Sequence, residues 1–241
     1  MVNIRALALS LFLVTLVVAP AAARDPARIA ITPESQRAAI ILKAELLPIP
    51  QTYRTSYRIG LQRYDAAEQR LAGGPYGGNY VFAARRNSFV DGYMVLEVEP
   101  GTYAFRDLSR QDYWALCFND NSLQFTVRPG EIVYLGEIDA RLHVAELERL
   151  AVMTGRTMVR SGNVAHFFDG VSPPAFKPVD ETSLAAATAM VTARMPRTTV
   201  APRAVEFAPA RFGTGRDLFG TSRLCGGYYA GRARPEESAG D

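Results

Sequence analysis

Between Tyr93 and Ile138 apolar and polar residues alternate, and proline–glycine pairs break the alternation twice. Met94, Leu96 and Val98 fall on one face of an extended chain, with Val95, Glu97 and Glu99 on the other. Pro100-Gly101 interrupts, and Tyr103 and Phe105 resume the pattern. Leu123, Phe125 and Val127 alternate in the same way, Pro129-Gly130 follows, and Ile132 to Leu135 continues. Proline at the second turn position presets φ, and glycine at the third accepts a positive φ, so each pair suits a type II turn. Asn119-Asp120-Asn121 supplies a third turn, between Trp114–Phe118 and Leu123–Val127. Strands and turns at this spacing predict an antiparallel meander, not a βαβ unit.

Other segments add to this frame. Ala38 to Leu47 is an apolar run ended by Pro48 and Pro50, and its isoleucine pair favours a buried strand. Tyr57, Ile59 and Leu61 alternate with Arg58 and Gln62 as in a half-buried strand. Gly73 to Asn79 reads as a loop, and Tyr80 to Ala84 as a short strand closed by Arg85-Arg86-Asn87. Further on, Leu142–Ala151 fits a strand or a helix, and Thr157–Arg160 and Asn163–Phe168 suggest short strands. Asp180, Glu181 and Thr182 precede the alanine-rich run Ser183–Met195, and Pro196 follows it, which predicts a helix. Residues 198–224 carry no readable pattern, and Arg232 to Asp241 is a polar tail expected to be disordered.

The N-terminus places the chain. Arg5, the apolar run Ala6–Val18 and the small residues Ala21-Ala22-Ala23 have the layout of a secretory signal peptide over 1–23. The run is shorter than the ~20 residues of a spanning helix. The mature chain is expected to start at Arg24, to be periplasmic or secreted, and to have no transmembrane segment. With 27 basic and 24 acidic residues, the charge is too balanced for a nucleic-acid partner. An apolar share of 48% suits a globular fold.

Two cysteines survive processing, Cys117 and Cys225, and an oxidising compartment makes them a candidate disulfide. The loop-entropy argument values a closure of this length at ~4–5 kcal/mol. The alternative is that Cys117 is a core residue of the run Trp114–Phe118 and Cys225 an unrelated thiol.

The segments Leu96-Glu-Val-Glu-Pro-Gly-Thr-Tyr103 and Phe125-Thr-Val-Arg-Pro-Gly-Glu-Ile-Val-Tyr-Leu-Gly136 resemble paired hairpins of prealbumin-like sandwich domains in bacterial envelope proteins. Carboxypeptidase-regulatory-like and PEGA-type domains share them. The resemblance covers roughly residues 38–138. It implies a small seven-stranded sandwich that binds or spaces, usually without catalysis. The expected fold is therefore mainly β: an antiparallel β-sandwich with a C-terminal α-helical extension. Its parts would be a linker over 24–37, the sandwich over 38–140, the extension over 141–231 with a helix over 183–195, and a tail over 232–241.

No catalytic constellation emerges. His143 and His166 lack ligand-spaced partners, so no metal or cofactor is expected. Cys117 paired with either histidine would make a thiol nucleophile, but an apolar strand leaves a thiol inert. Asn119–Asn121 is short of the acids of a calcium loop. Gly73–Gly78 lacks the Lys-Ser/Thr of a phosphate cradle, and no Gly-x-Ser-x-Gly elbow occurs. Glu97 and Glu99 are expected to pair with Arg106 across strands. Arg85 and Arg86, with Tyr76 and Tyr80, form the candidate binding patch. The leading expectation is a non-enzymatic envelope protein that binds a protein or a cell-wall component. The alternatives are a periplasmic hydrolase using Asp91 and Asp169, and a spacer docked through the Ser183–Met195 helix.

Overall fold

A computed structural model describes residues 25–45, 57–72, 79–83, 89–110, 114–141, 166–168, 173–213, 215–216 and 222–223, with isolated positions between 145 and 149. Two sheets face each other. Sheet A runs β5 (Phe89–Val90), β6 (Tyr93–Val98), β1 (Ala38–Glu45) and β10 (Ile132–Asp139); β12 (Phe176–Lys177) and β13 (Pro202–Ala204) share the far side of β10. In sheet B, β3 (Arg70–Leu71) and β4 (Asn79–Ala83) pair with β2 (Tyr57–Asp65), and β2 pairs with β7 (Gly101–Arg110). The other side of β7 is shared by β8 (Trp114–Cys117) and β9 (Ser122–Val127). Beyond them lie β11 (His166–Phe168) and β14 (Ala208–Ala210), and β15 (Gly215–Arg216) pairs separately with β16 (Ser222–Arg223). The fold is mainly β, a sandwich with one helix late in the chain, as expected.

The connectivity differs from a simple meander. β6 and β7 lie in different sheets, as do β9 and β10. Both proline–glycine pairs therefore carry the chain from one sheet to the other and do not close hairpins. The turn geometry is nevertheless the expected one at the second pair: Gly130 has φ +71°, and Glu131 N–H donates to the Arg128 carbonyl at 3.3 Å. Asn119–Asn121 is not a hairpin turn either. β8 and β9 follow one another along the same edge of β7, Cys117 opposite Asp107 and Gln124 opposite Ala104. The Ser122 hydroxyl donates to the Phe105 carbonyl at the break. Alternation specifies faces, not neighbours, so it cannot tell a hairpin from a crossing.

Sheet A is buried on both faces, which explains the unbroken apolar run of β1. Ala38, Ile40 and Leu42 join the core between the sheets, while Ala39 and Ile41 meet a second core on the outside. β10 divides in the same way, Val133 and Leu135 inward, Ile132 and Tyr134 outward. The outer core is closed by helix α1 (Glu181–Arg194) through Ala187, Met190 and Val191, and by Ile29 and Ile31. The segment expected as a linker thus supplies two fully buried side chains. Asp180 caps α1, accepting from Ser183 N–H at 2.7 Å, while Ser183 Oγ accepts from Asp180 N–H at 3.0 Å, two residues before the expected start. Strands β11 to β14 show that the chain beyond residue 140 is woven into both sheets.

Gly130 lies where a Cβ would come within 2.7 Å of the Pro33 carbonyl oxygen, on top of its positive φ. Gly130→Ala is expected to destabilise the fold by at least ~1–3 kcal/mol, read as a lowered urea midpoint with an unchanged slope.

Candidate functional site

The passage from β13 in sheet A to β14 in sheet B creates the site. β13 follows β10 in parallel, Val133 beside Arg203, and the Val205 N–H donates to the Tyr134 carbonyl at 3.0 Å. The chain then dips inward at Phe207, whose ring meets Phe176 at 4.9 Å and Phe105 and Phe125 at 6.0 Å each. It emerges as β14 beside β9, Ala208 opposite Gln124. The Phe207 anchor thus holds the chain away from the second half of β9. A cleft of about 330 Å³ remains, lined by Gln124, Phe125, Thr126, Arg128, Arg203, Glu206 and Ala208. That lies at the small end of ligand sites.

Side chains complete the exposed edge of β9. Arg203 Nη2 donates to the Thr126 carbonyl at 3.0 Å and to Glu131 Oε2 at 2.8 Å. The same Oε2 accepts the Arg128 backbone N–H at 3.0 Å. One guanidinium donor and one carboxylate acceptor therefore stand where a neighbouring strand would offer an N–H and a C=O. Thr126 and Thr102 form the close cross-strand pair of β9 and β7, their hydroxyls 2.9 Å apart. Residues of such a pair turn both backbone groups away from the partner strand, so the Thr126 N–H also faces the cleft. The Arg128 side chain is 78% exposed, and its guanidinium reaches Glu131 only at 3.8 Å. Burial pushes the Glu131 carboxyl up, but the hydrogen bonds from Arg203 and from the Arg128 N–H outweigh it and hold the group below its ordinary 4.5.

Two other polar clusters serve the fold. Glu137 lies between Lys43 at 2.7 Å and Lys177, whose ammonium groups lower its carboxyl. On the outside of sheet B, Asp107 pairs with Arg106 and lies over Gly60, where any Cβ would meet the carboxylate at 2.7 Å. Among the described residues, no three His, Cys, Asp or Glu side chains gather as a metal site.

Of the candidate patch, Tyr80 is in the core, edge-to-face with Tyr103 at 5.5 Å, its hydroxyl accepting from Glu99 N–H. Tyr76, Arg85 and Arg86 lie outside the described residues, as do His143, Asp169 and Cys225. His166 has its backbone in β11. Cys117 is fully buried with Tyr64, Leu71, Ala104, Ala210 and Phe212. Asp91 occupies a turn at φ +53° and pairs with Arg194 at 3.2 Å. Glu97 and Glu99 pair with Arg37, and Glu99 also with Arg63, while Arg106, expected beside them, belongs to the opposite sheet and meets Asp107. Sequence reading missed Arg128, Glu131 and Arg203. The available signal was Arg128-Pro-Gly-Glu131, which places a cation and an acid on either side of one turn.

Comparison with protein-family models, curated proteins and solved structures finds no match to this chain. No helix among the described residues is long and apolar enough to cross a membrane.

A carboxylate whose pKa falls on folding adds stability above its unfolded value, and that contribution is lost as pH drops through the folded value. For Glu131 the window begins near 4.5 and extends downward. The stability gap between the natural protein and Glu131→Gln is therefore expected to be widest at neutral pH and to close on acidification below 4.5, in urea titrations at stepped pH.

Proposed function

We propose that the protein is exported to the periplasm or beyond and works without catalysis, holding a protein partner of the cell envelope through its β-sandwich. The signal-peptide layout supports the location. The observation that carries the reading is the cleft beside β9. Its walls offer outward backbone groups from Thr126 and a well-exposed guanidinium at Arg128, a combination suited to polypeptide. The hydrolase alternative has less behind it, because Asp91 is tied to Arg194 on an exposed turn.

The same reading pairs Cys117 with Cys225 as an extracytoplasmic staple. Phe212 N–H donates to the Asn119 carbonyl at 2.9 Å, which brings the C-terminal segment over Cys117. The β15–β16 pairing sets Arg223 opposite Gly215. The staple would fasten the segment that forms one wall of the cleft.

A photoreactive amino acid placed at Gln124, which lines the cleft, is expected to cross-link an envelope protein in living cells. The same probe at Ala189, on the exposed side of α1, should not. Cross-linking from Ala189 alone would shift the function to the helix and favour the spacer reading.

A further inference from the structure

We propose that the cleft captures an extended, acidic segment of another polypeptide by adding it as a strand to β9, an inference that rests on the interaction-module reading above. β14 occupies the place beside Ser122–Gln124, and the place beside Phe125–Val127 is left to side chains. Sheet neighbours lie ~4.8 Å apart, so an added strand would take the place beside Thr126 that the Arg203 guanidinium now fills. At Thr126 the incoming chain would donate its N–H to the carbonyl now held by Arg203 and accept the Thr126 N–H through its own carbonyl.

Arg203 is the gate. It blocks the slot by bonding the Thr126 carbonyl and Glu131 together, and strand addition displaces it from the carbonyl. The Arg203–Glu131 pair also explains why the edge does not pair at random, since an open strand edge invites aggregation. β14 uses a second guard. Pro209 lies opposite Leu123, between the bonded positions Gln124 and Ser122, so its missing N–H falls on the outer edge and removes no ladder bond.

Charge sets the preference. Arg128 and Arg203 share Glu131, whose Oε2 already accepts two N–H groups, which leaves the Arg128 guanidinium with donors to spare. Glu206 also lines the cleft, on the crossover beyond β13, and repels acids there. An acidic side chain is thus favoured at the Arg128 end, as a charge-assisted and orientable contact.

The test uses the full mature chain and a fluorescent short peptide of alternating valine and glutamate, followed by anisotropy. Saturable binding is expected, weakened at least about tenfold by Arg128→Ala. Replacing the glutamates of the peptide by glutamines should weaken it comparably. N-methylation of the peptide backbone, which leaves the protein untouched, should abolish binding because the Thr126 carbonyl then lacks a donor. Thr126→Pro should do the same, since this N–H faces the cleft and not β7. Equal binding of the N-methylated peptide overturns strand addition. Unchanged affinity in Arg128→Ala overturns the acidic preference, and no binding of the parent peptide overturns the inference as a whole. If Gln124 still cross-links an envelope partner in that last case, the interaction module stands and only its mode of capture is lost.

Discussion

A chain that leaves one sheet for the other abandons backbone groups that had a strand beside them, and at both proline–glycine crossings of this sandwich side chains take up part of what is left. Between β6 and β7 the Tyr103 hydroxyl donates to the Glu99 carbonyl at 2.6 Å, Tyr80 accepts the Glu99 N–H at 3.2 Å, and Arg63 bonds the Pro100 carbonyl at 2.8 Å. Between β9 and β10, Gly130 N–H reaches the Arg37 carbonyl at 2.9 Å, while Glu131 takes the Arg128 N–H. Unpaired backbone polar groups are costly where water is excluded, so these contacts are conditions of the fold and not ornaments on it. They also set the sheet order. With β6 and β10 both returned to sheet A they flank β1, and the outer side of β10 stays open for the late strands.

From that order the cleft follows. β13 takes the open side of β10, and the chain must then reach sheet B to finish as β14. Phe207 makes the passage through the aromatic cluster of Phe105, Phe125 and Phe176, where ring burial outweighs continued pairing along β9. The β9–β10 and β13–β14 crossings are left side by side, and the Arg203–Glu131 pair ties them. Arg203 is about a third exposed and Glu131 less, so the pair is partly shielded from solvent and holds its geometry without being locked in place.

How much of this could be read beforehand divides along physical lines. The inward faces of β2, β6, β7 and β9 were legible because alternation reports burial directly. Helix α1 was legible through Asp180, Glu181 and Pro196, whose roles at helix ends are local. The partners of each strand were not, because Pro100-Gly101 and Pro129-Gly130 look the same whether they turn a hairpin or cross a sandwich. The C-terminal strands were hidden for another reason. Pro202 and Pro209 argue against a strand in isolation and are tolerated here only because β13 and β14 are short edge strands. The cleft was illegible because Arg128, Glu131 and Arg203 meet through tertiary pairing, and nothing in sequence links Arg203 to the Pro129-Gly130 turn.

The central claim is that the Arg203–Glu131 pair does the work of a missing strand, and a double-mutant cycle of Arg203→Met and Glu131→Gln tests it most directly. Urea denaturation of the natural protein, both single variants and the double variant gives the coupling energy between the two side chains. A favourable coupling of about 0.5–2 kcal/mol is expected for a half-shielded pair that also completes a ladder. Strict additivity of the two substitutions would contradict the account, because the edge of β9 would then be as stable without its side-chain surrogate as with it.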